Sequence, residues 1–274
     1  MSECNHDCEH CSQEGCESKI TKVTPNERSS FKHCIAVVSG KGGVGKSYVT
    51  SLLASYLNKS NLKVGVLDGD IVGPSIPKGF NIHERATGDG SVIFPCLTKN
   101  NIKVISSNML LENEDDPIIW RGVMVSSLLK QFVSDVLWED LDYLLIDMPP
   151  GTSDVTLTAF QSLPLDGIII VTSPQDLVSL IVTKAIKMAK MMNIKILGII
   201  ENMSYVKCSN CNEKIYLYGE SKIEEFCKKE NLNLLGQLPL IPGQSKLIDE
   251  GKVEDIDSNE MCEIAQKVKE FNYD

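Results

Sequence analysis

Two groups of residues in this 274-residue chain have types and spacings that could do chemistry. The first is Gly40-Lys41-Gly42-Gly43-Val44-Gly45-Lys46-Ser47, which fits the spacing GxxxxGK[ST]. Glycines at these positions let the backbone wrap with its N–H groups pointing inward, and a helix N-terminus immediately after them adds partial positive charge. Together these make a phosphate cradle. Lys46 is expected to reach the β- and γ-phosphates of a nucleotide, and the Ser47 hydroxyl to ligate Mg²⁺. The plainer alternative is a tight glycine-rich turn with a solvated lysine. The flanking pattern opposes it, because the motif follows a strand-sized apolar run and opens an amphipathic one.

Mg²⁺ is a hard ion that takes oxygen ligands, so carboxylates are expected beside the phosphates. Two segments supply them. Asp147 ends the apolar run Tyr143–Ile146, the position of a Walker-B aspartate, and Asp68 and Asp70 end the run Lys63–Leu67. Asp68 is expected at the water shell of the metal. Asp70 is expected to orient an attacking water, or else simply to cap a turn. Lys41 is a second lysine inside the glycine-rich loop, which phosphate binding alone does not require.

The second group is the cysteines, ten in all. Cys4, Cys8, Cys11 and Cys16 crowd the N-terminus, and Cys208 and Cys211 form a CxxC. Cys34, Cys96, Cys227 and Cys262 stand alone and read as buried small hydrophobes. Clustered cysteines in a reducing compartment point to metal or catalysis before disulfides. One CxxC offers two thiolates, whereas a tetrahedral Zn²⁺ site or a [4Fe–4S] cluster usually takes four ligands. A symmetric dimer would supply the other two, and the four N-terminal cysteines could alternatively hold a site by themselves. Thiolates suit both zinc and iron–sulfur. His6 and His10 keep zinc open at the N-terminus, and a redox pair or a zinc knuckle remains open for Cys208 and Cys211.

The elements that must position these groups follow from apolar periodicity. Cys34–Val38, Lys63–Leu67, Tyr143–Ile146, Gly167–Thr172 and Ile194–Ile200 are short continuous apolar runs of the kind buried parallel strands require. Val92–Leu97, Ile102–Ser106 and Leu234–Leu238 read as further strands. Helical spacing appears in Val49, Leu52, Leu53, Tyr56 and Leu57, again from Val125 to Leu137, and near residues 176–192, 223–230 and 259–271. Strands alternating with helices predict an α/β fold, a mostly parallel sheet with helices on both faces, as in P-loop NTPases. The motifs then fall in loops that follow strands, where this architecture binds ligands. Residues 1–30 lack periodicity and read as a flexible Cys-rich tail, with residues 31–274 forming a P-loop ATPase domain that carries the CxxC loop.

The formal charge is −10, and no Lys/Arg block reverses it locally, so nucleic-acid and membrane binding are not expected. The longest apolar stretches are strand-sized, far short of the ~18 residues of a spanning helix. The acidic N-terminus has no apolar signal-peptide core, so the expected location is cytoplasmic.

The glycine-rich motif with its extra lysine resembles the deviant Walker A of MinD/ParA-type ATPases. By that resemblance Lys41 would reach the nucleotide of the other subunit of a homodimer, as an arginine finger does. Asp68–Pro77, Ile146–Asp154, Val171–Gln175 and Glu201–Cys211 together resemble the Mrp/Nbp family of iron–sulfur cluster carrier ATPases. The resemblance spans about residues 33–250. It implies that Asn202 contacts the adenine base, that Cys208 and Cys211 are cluster ligands, and that apo iron–sulfur proteins receive the cluster. Ser209 stands where the family usually has Pro, and Tyr48 where it commonly has Thr. The N-terminal cysteines resemble the ferredoxin-like cluster motif of one subgroup, with different spacings.

The function expected is thus an ATP-dependent carrier that binds a labile [4Fe–4S] cluster, hydrolyses ATP slowly and hands the cluster to apo-proteins. The alternatives are a MinD/ParA-like spatial-positioning ATPase and a zinc-stabilised, non-catalytic dimeric scaffold.

Overall fold

The structure is a computed structural model that describes residues 22–70, 73, 75–111, 122–151, 154–174, 180–208 and 210–273. Twelve strands are assigned among the described residues. They are β1 (Ser30–Ser39), β2 (Val64–Asp68), β3 (Thr87–Gly88), β4 (Ile93–Phe94), β5 (Cys96–Leu97), β6 (Lys103–Ser106), β7 (Asp140–Asp147), β8 (Gly167–Thr172), β9 (Ile196–Glu201), β10 (Val206–Lys207), β11 (Lys214–Ile215) and β12 (Leu234–Gln237). The helices are α1 (Lys46–Lys59), α2 (Ile76–Gly79), α3 (Gly122–Ser134), α4 (Asp154–Ser162), α5 (Leu180–Met191), α6 (Ile223–Glu230), α7 (Gln244–Asp249) and α8 (Asn259–Lys269).

Eight strands form one sheet in the order β12-β9-β8-β1-β7-β2-β6-β5. Every neighbouring pair is parallel except β5 with β6 at the edge. The uninterrupted apolar runs are the signature of strands covered on both faces. Accordingly β2 and β8 are buried along their whole length, as are the last six residues of β1. This core extends through α1, whose Val49, Leu52, Leu53 and Leu57 are fully buried.

The parallel register fixes the site. Val37 of β1 pairs with Asp147 of β7, and Asp147 pairs with Asp68 of β2. The two carboxylates predicted from separate motifs therefore end adjacent strands, level with the start of the glycine-rich loop. The chain order crosses from β1 outward on both sides, and the crevice at that switch is where open α/β sheets bind ligands.

Three local expectations change. The single strand expected over Val92–Leu97 is split at Pro95, which lacks the N–H a continuous ladder needs. Ile93–Phe94 pairs with β3, and Cys96–Leu97 with β6. The helix expected to run to Leu137 ends at Ser134, and Val136 bridges to Ile93 instead. Cys34, Cys96 and Cys227 are buried as expected, but Cys262 is exposed, because it falls on the outward side of α8 opposite Met261, Ile264 and Val268. Residues 22–29 lie against the domain. Val23 N–H donates to Ser162 O, and the Asn26 side chain donates to the carbonyls of Ser134 and Val136.

Candidate nucleotide and thiolate sites

The glycine-rich loop joins β1 to α1, so sheet and helix fix its two ends. Gly45 sits at the helix entrance with φ +79°, a left-handed conformation that disfavours any side chain. A Cβ there would also lie 2.2 Å from Asn202 Nδ2. α1 has no acidic residue in its first turn, which leaves its positive end available to an anion.

Lys46 is the first residue of α1, 6% exposed, with Nζ 2.7 Å from Asp147 Oδ2. That ammonium nevertheless makes no well-directed hydrogen bond to any described group. A buried cation with unused donors, at a helix N-terminus and behind a glycine loop, has the chemistry of a phosphate site. Asp147 is fully buried and held from two sides. Ser47 Oγ donates to its Oδ2 at 2.6 Å, and Thr50 Oγ1 to its Oδ1 at 2.8 Å. Thr50 was not anticipated from the sequence. Its spacing from Lys46, one helical turn, is the signal that could have found it.

Asp68 is also fully buried. Burial pushes its carboxyl above the usual carboxylate range, the charge of Asp147 pushes it further, and Lys46 opposes both. Its oxygens accept from the N–H groups of Asp70, Ser75 and Ile76 and from Ser106 Oγ. Asp70 is half-buried, and burial raises it as well, again opposed by Lys46. Ser47, Asp68 and Asp147 thus gather hard oxygen donors beside the loop, a donor set that fits Mg²⁺. Lys41 is exposed, and its carbonyl accepts from Ser39 Oγ.

Asn202 follows the last residue of β9. Its N–H donates to Thr172 O, and its Nδ2 donates to Val44 O in the glycine loop at 2.9 Å. Beside it Gly45, Tyr48, Met203, Pro239, Leu240 and Ile241 line a mostly apolar cleft. The segment Pro239–Ile241 carried no motif; its place after the last strand was the available clue.

Cys208 and Cys211 lie at the tip of the β10–β11 hairpin, whose ladder is two residue pairs long. Cys208 N–H donates to Glu213 O, and Asn212, with φ +59°, returns its N–H to Cys208 O. The Cys208 sulfur accepts from the backbone N–H groups of Asn210 and Cys211, and these hold the thiol below its ordinary range. The Cys211 side chain lies within hydrogen-bonding reach of the same sulfur. Cys211 is exposed. Among the described residues no third His, Cys, Asp or Glu joins them as a metal group. Cys4, Cys8, Cys11 and Cys16 lie outside the described residues. No helix among the described residues is long and apolar enough to cross a membrane.

Comparison with known proteins agrees with this geometry. The iron-sulfur cluster carrier protein of Clostridium perfringens is 45% identical over 257 residues, covering 90% of each chain. That of Methanocaldococcus jannaschii is 47% identical over 250 residues, covering 88% of this chain and 86% of the relative. Among solved structures, a nucleotide-binding protein from Archaeoglobus fulgidus in complex with ADP superposes with a TM-score of 0.75 at 40% identity, over 84% of this chain and 90% of that one. Residues 30–272 match the ParA family in its description as the NUBPL iron-transfer P-loop NTPase, and this chain belongs to that family.

Proposed function

We propose that the protein is a dimeric, ATP-dependent carrier that holds a labile [4Fe–4S] cluster at Cys208 and Cys211 and passes it to apo-proteins. The observation that carries this reading is the pair of neighbouring thiols, Cys208 and Cys211, the second of them exposed, on a hairpin that begins a few residues after the asparagine that touches the phosphate-binding loop. The relatives named as cluster carriers support it, as does the ADP complex of the Archaeoglobus protein.

At the nucleotide end, the glycine-loop amides and the Lys46 ammonium would hold the β- and γ-phosphates, and the apolar cleft with Asn202 would take the base. Ser47, Asp147 and Asp68 would hold Mg²⁺ directly or through water, and the ion would neutralise phosphate charge. Asp70 is near enough to the loop, and open enough to solvent, to orient a water for hydrolysis. The exposed Lys41 would act across a dimer interface, where it adds a positive charge only when two subunits meet.

At the cluster end, two sulfurs per chain imply a centre shared by two chains, because a twofold axis brings identical hairpins together and completes four ligands. Exposure of the thiolates is what transfer requires, since an acceptor's thiolates must reach the iron. The four N-terminal cysteines would form a separate site. A MinD-like positioning role would leave the CxxC turn without a use.

The test is anaerobic reconstitution of a full-length variant with Cys4, Cys8, Cys11 and Cys16 all changed to Ser. The expected result is about four irons per dimer, a sedimentation coefficient that shifts to dimer on loading, and transfer to an apo-ferredoxin. Zinc in place of iron, or a complete cluster on a monomer, would refute the shared-cluster reading.

A further inference from the structure

Glu201 is the last residue of β9 and is fully buried. Among the described residues it has no cationic partner, so its carboxylate is stabilised by hydrogen bonds alone. Burying such a group is costly unless its oxygens are well satisfied. They are. Oε1 accepts from Ser221 Oγ at 2.8 Å, and Oε2 accepts from Gln237 Nε2 at 2.8 Å and from Ser204 Oγ. Gln237 Nε2 also reaches Ser204 Oγ at 2.9 Å.

The places these partners occupy in the chain matter more than their number. Ser204 stands just before the β10–β11 hairpin, and Ser221 lies after it, at the entrance to α6, where its Oγ accepts from Ile223 N–H. Gln237 is on β12, paired with Glu201 itself. One carboxylate therefore holds both ends of the segment that bears Cys208 and Cys211 and fixes them to the sheet. Every residue from Asn210 to Glu220 within that segment is exposed, although Lys214 and Tyr216 reach back to the buried Tyr205 ring.

The next residue along the chain is Asn202, whose Nδ2 donates to Val44 O. On the nucleotide site proposed above, a base entering the adjoining cleft would compete for that amide, so Asn202 would exchange its bond to the loop for one to the base. We propose that Glu201 is a positioning residue that carries this difference to the hairpin, so that nucleotide occupancy at the glycine-rich loop is felt at Cys208 and Cys211 through the bonds to Ser204 and Ser221. The inference rests on the nucleotide site proposed above but needs no cluster. A second tie exists, in which Tyr205 and Lys207 both donate to Glu260 at the start of α8. It also reaches the cleft, since Leu240 N–H donates to Tyr205 O, but it is partly solvent-exposed, whereas Glu201 is fully buried and adjoins Asn202 in the chain, which favours Glu201 as the carrier.

The experiment is hydrogen–deuterium exchange on the full-length protein with and without MgADP, comparing wild type with Glu201→Gln, Ser221→Ala and Glu260→Ala. In wild type, MgADP slows exchange in residues 40–50 and also across 203–218, by about five-fold for the hairpin, the equivalent of one hydrogen bond. In Glu201→Gln and Ser221→Ala the loop is still protected, which shows that the variant is folded and binds, but the hairpin no longer responds. Glu260→Ala behaves as wild type. The inference is overturned if the hairpin response survives both Glu201→Gln and Ser221→Ala, if it is lost only in Glu260→Ala, or if wild-type MgADP protects the loop and leaves the hairpin unchanged. Failure of MgADP to protect even the wild-type loop would overturn the nucleotide reading and this inference with it, whereas failure to bind iron would touch neither.

Discussion

The nucleotide end and the thiolate end of this molecule are built in opposite ways. Lys46, Asp68 and Asp147 are buried, held by adjacent parallel strands and the first turn of a 14-residue helix. Cys208 and Cys211 sit on a hairpin whose ladder is two residue pairs long, followed by exposed chain as far as Glu220. Burial suits the first end, because preorganised charges act strongly on phosphates once water is excluded. Exposure suits the second, because cargo held by thiolates has to be reached by another protein's thiolates. On the proposed reading, one end is close to a complete site within a single chain, and the other is half of one.

The sharpest way to break that comparison is at the cargo end. Cys208→Ser or Cys211→Ser removes one of two sulfurs from each chain, and the half-site has no substitute among the described residues. The shared cluster is expected to be lost entirely and cluster-driven dimerisation with it, while ATP affinity stays within about two-fold, checked by iron analysis, sedimentation and nucleotide titration. Retained transfer by the double Ser variant would show that the cluster is carried elsewhere.

Lys46→Ala is expected to weaken ATP binding by about 10- to 150-fold, the range for one charge-assisted hydrogen bond. The structure adds a second effect. Lys46 faces Asp147, so its removal leaves a buried carboxylate held only by Ser47 and Thr50, and the melting temperature of the nucleotide-free protein should fall. Calorimetry on Lys46→Ala alongside Lys46→Ala/Asp147→Asn separates the two, since the second change should restore stability without restoring binding.

Gly45→Ala tests the rigidity of the same end. A positive φ and a Cβ crowding Asn202 should together cost about 1–3 kcal/mol and displace the asparagine from the loop. The same change at Gly219, also at positive φ but with nothing within 4 Å, should cost no more than the backbone strain. Equal losses in thermal unfolding at the two sites would mean that Asn202 yields freely.

The smallest effect concerns pH. A lowered Cys208 thiol pKa means that its thiolate persists at pH values where an ordinary thiol is mostly protonated. Iodoacetamide should therefore label apo Cys208 first as pH is lowered toward 7. Cys227, pushed up to about 11 by burial and by the nearby Glu201 and Glu224, should stay unlabelled until the chain unfolds. Mass-spectrometric mapping reads both. Labelling of Cys208 that follows an ordinary thiol titration would show that the Asn210 and Cys211 N–H groups do not hold its sulfur.

Much of the nucleotide end was legible before any coordinates. The apolar runs ending at Asp68 and Asp147, and the glycine-rich loop between a strand and a helix, are local patterns with one physical solution. Parallel register then brought the two carboxylates together. The Pro95 break was readable in principle but was overridden by the apolar run around it. The full lining of the cleft beside Asn202 was not legible, because Tyr48, Met203 and Pro239 are far apart in the chain and only packing brings them together.

The sequence by itself determined the chemistry available: a phosphate cradle, two carboxylate-ended strands and a pair of thiolates three residues apart. These depend on residue type and short-range spacing, which backbone sterics and hydrogen bonding translate directly into turns, strands and helix starts. Only the tertiary structure decided how the two ends are joined. Glu201 acquires its role from Ser221 and Gln237, 20 and 36 residues further along the chain. A buried carboxylate finds such partners through packing, and no local pattern records them.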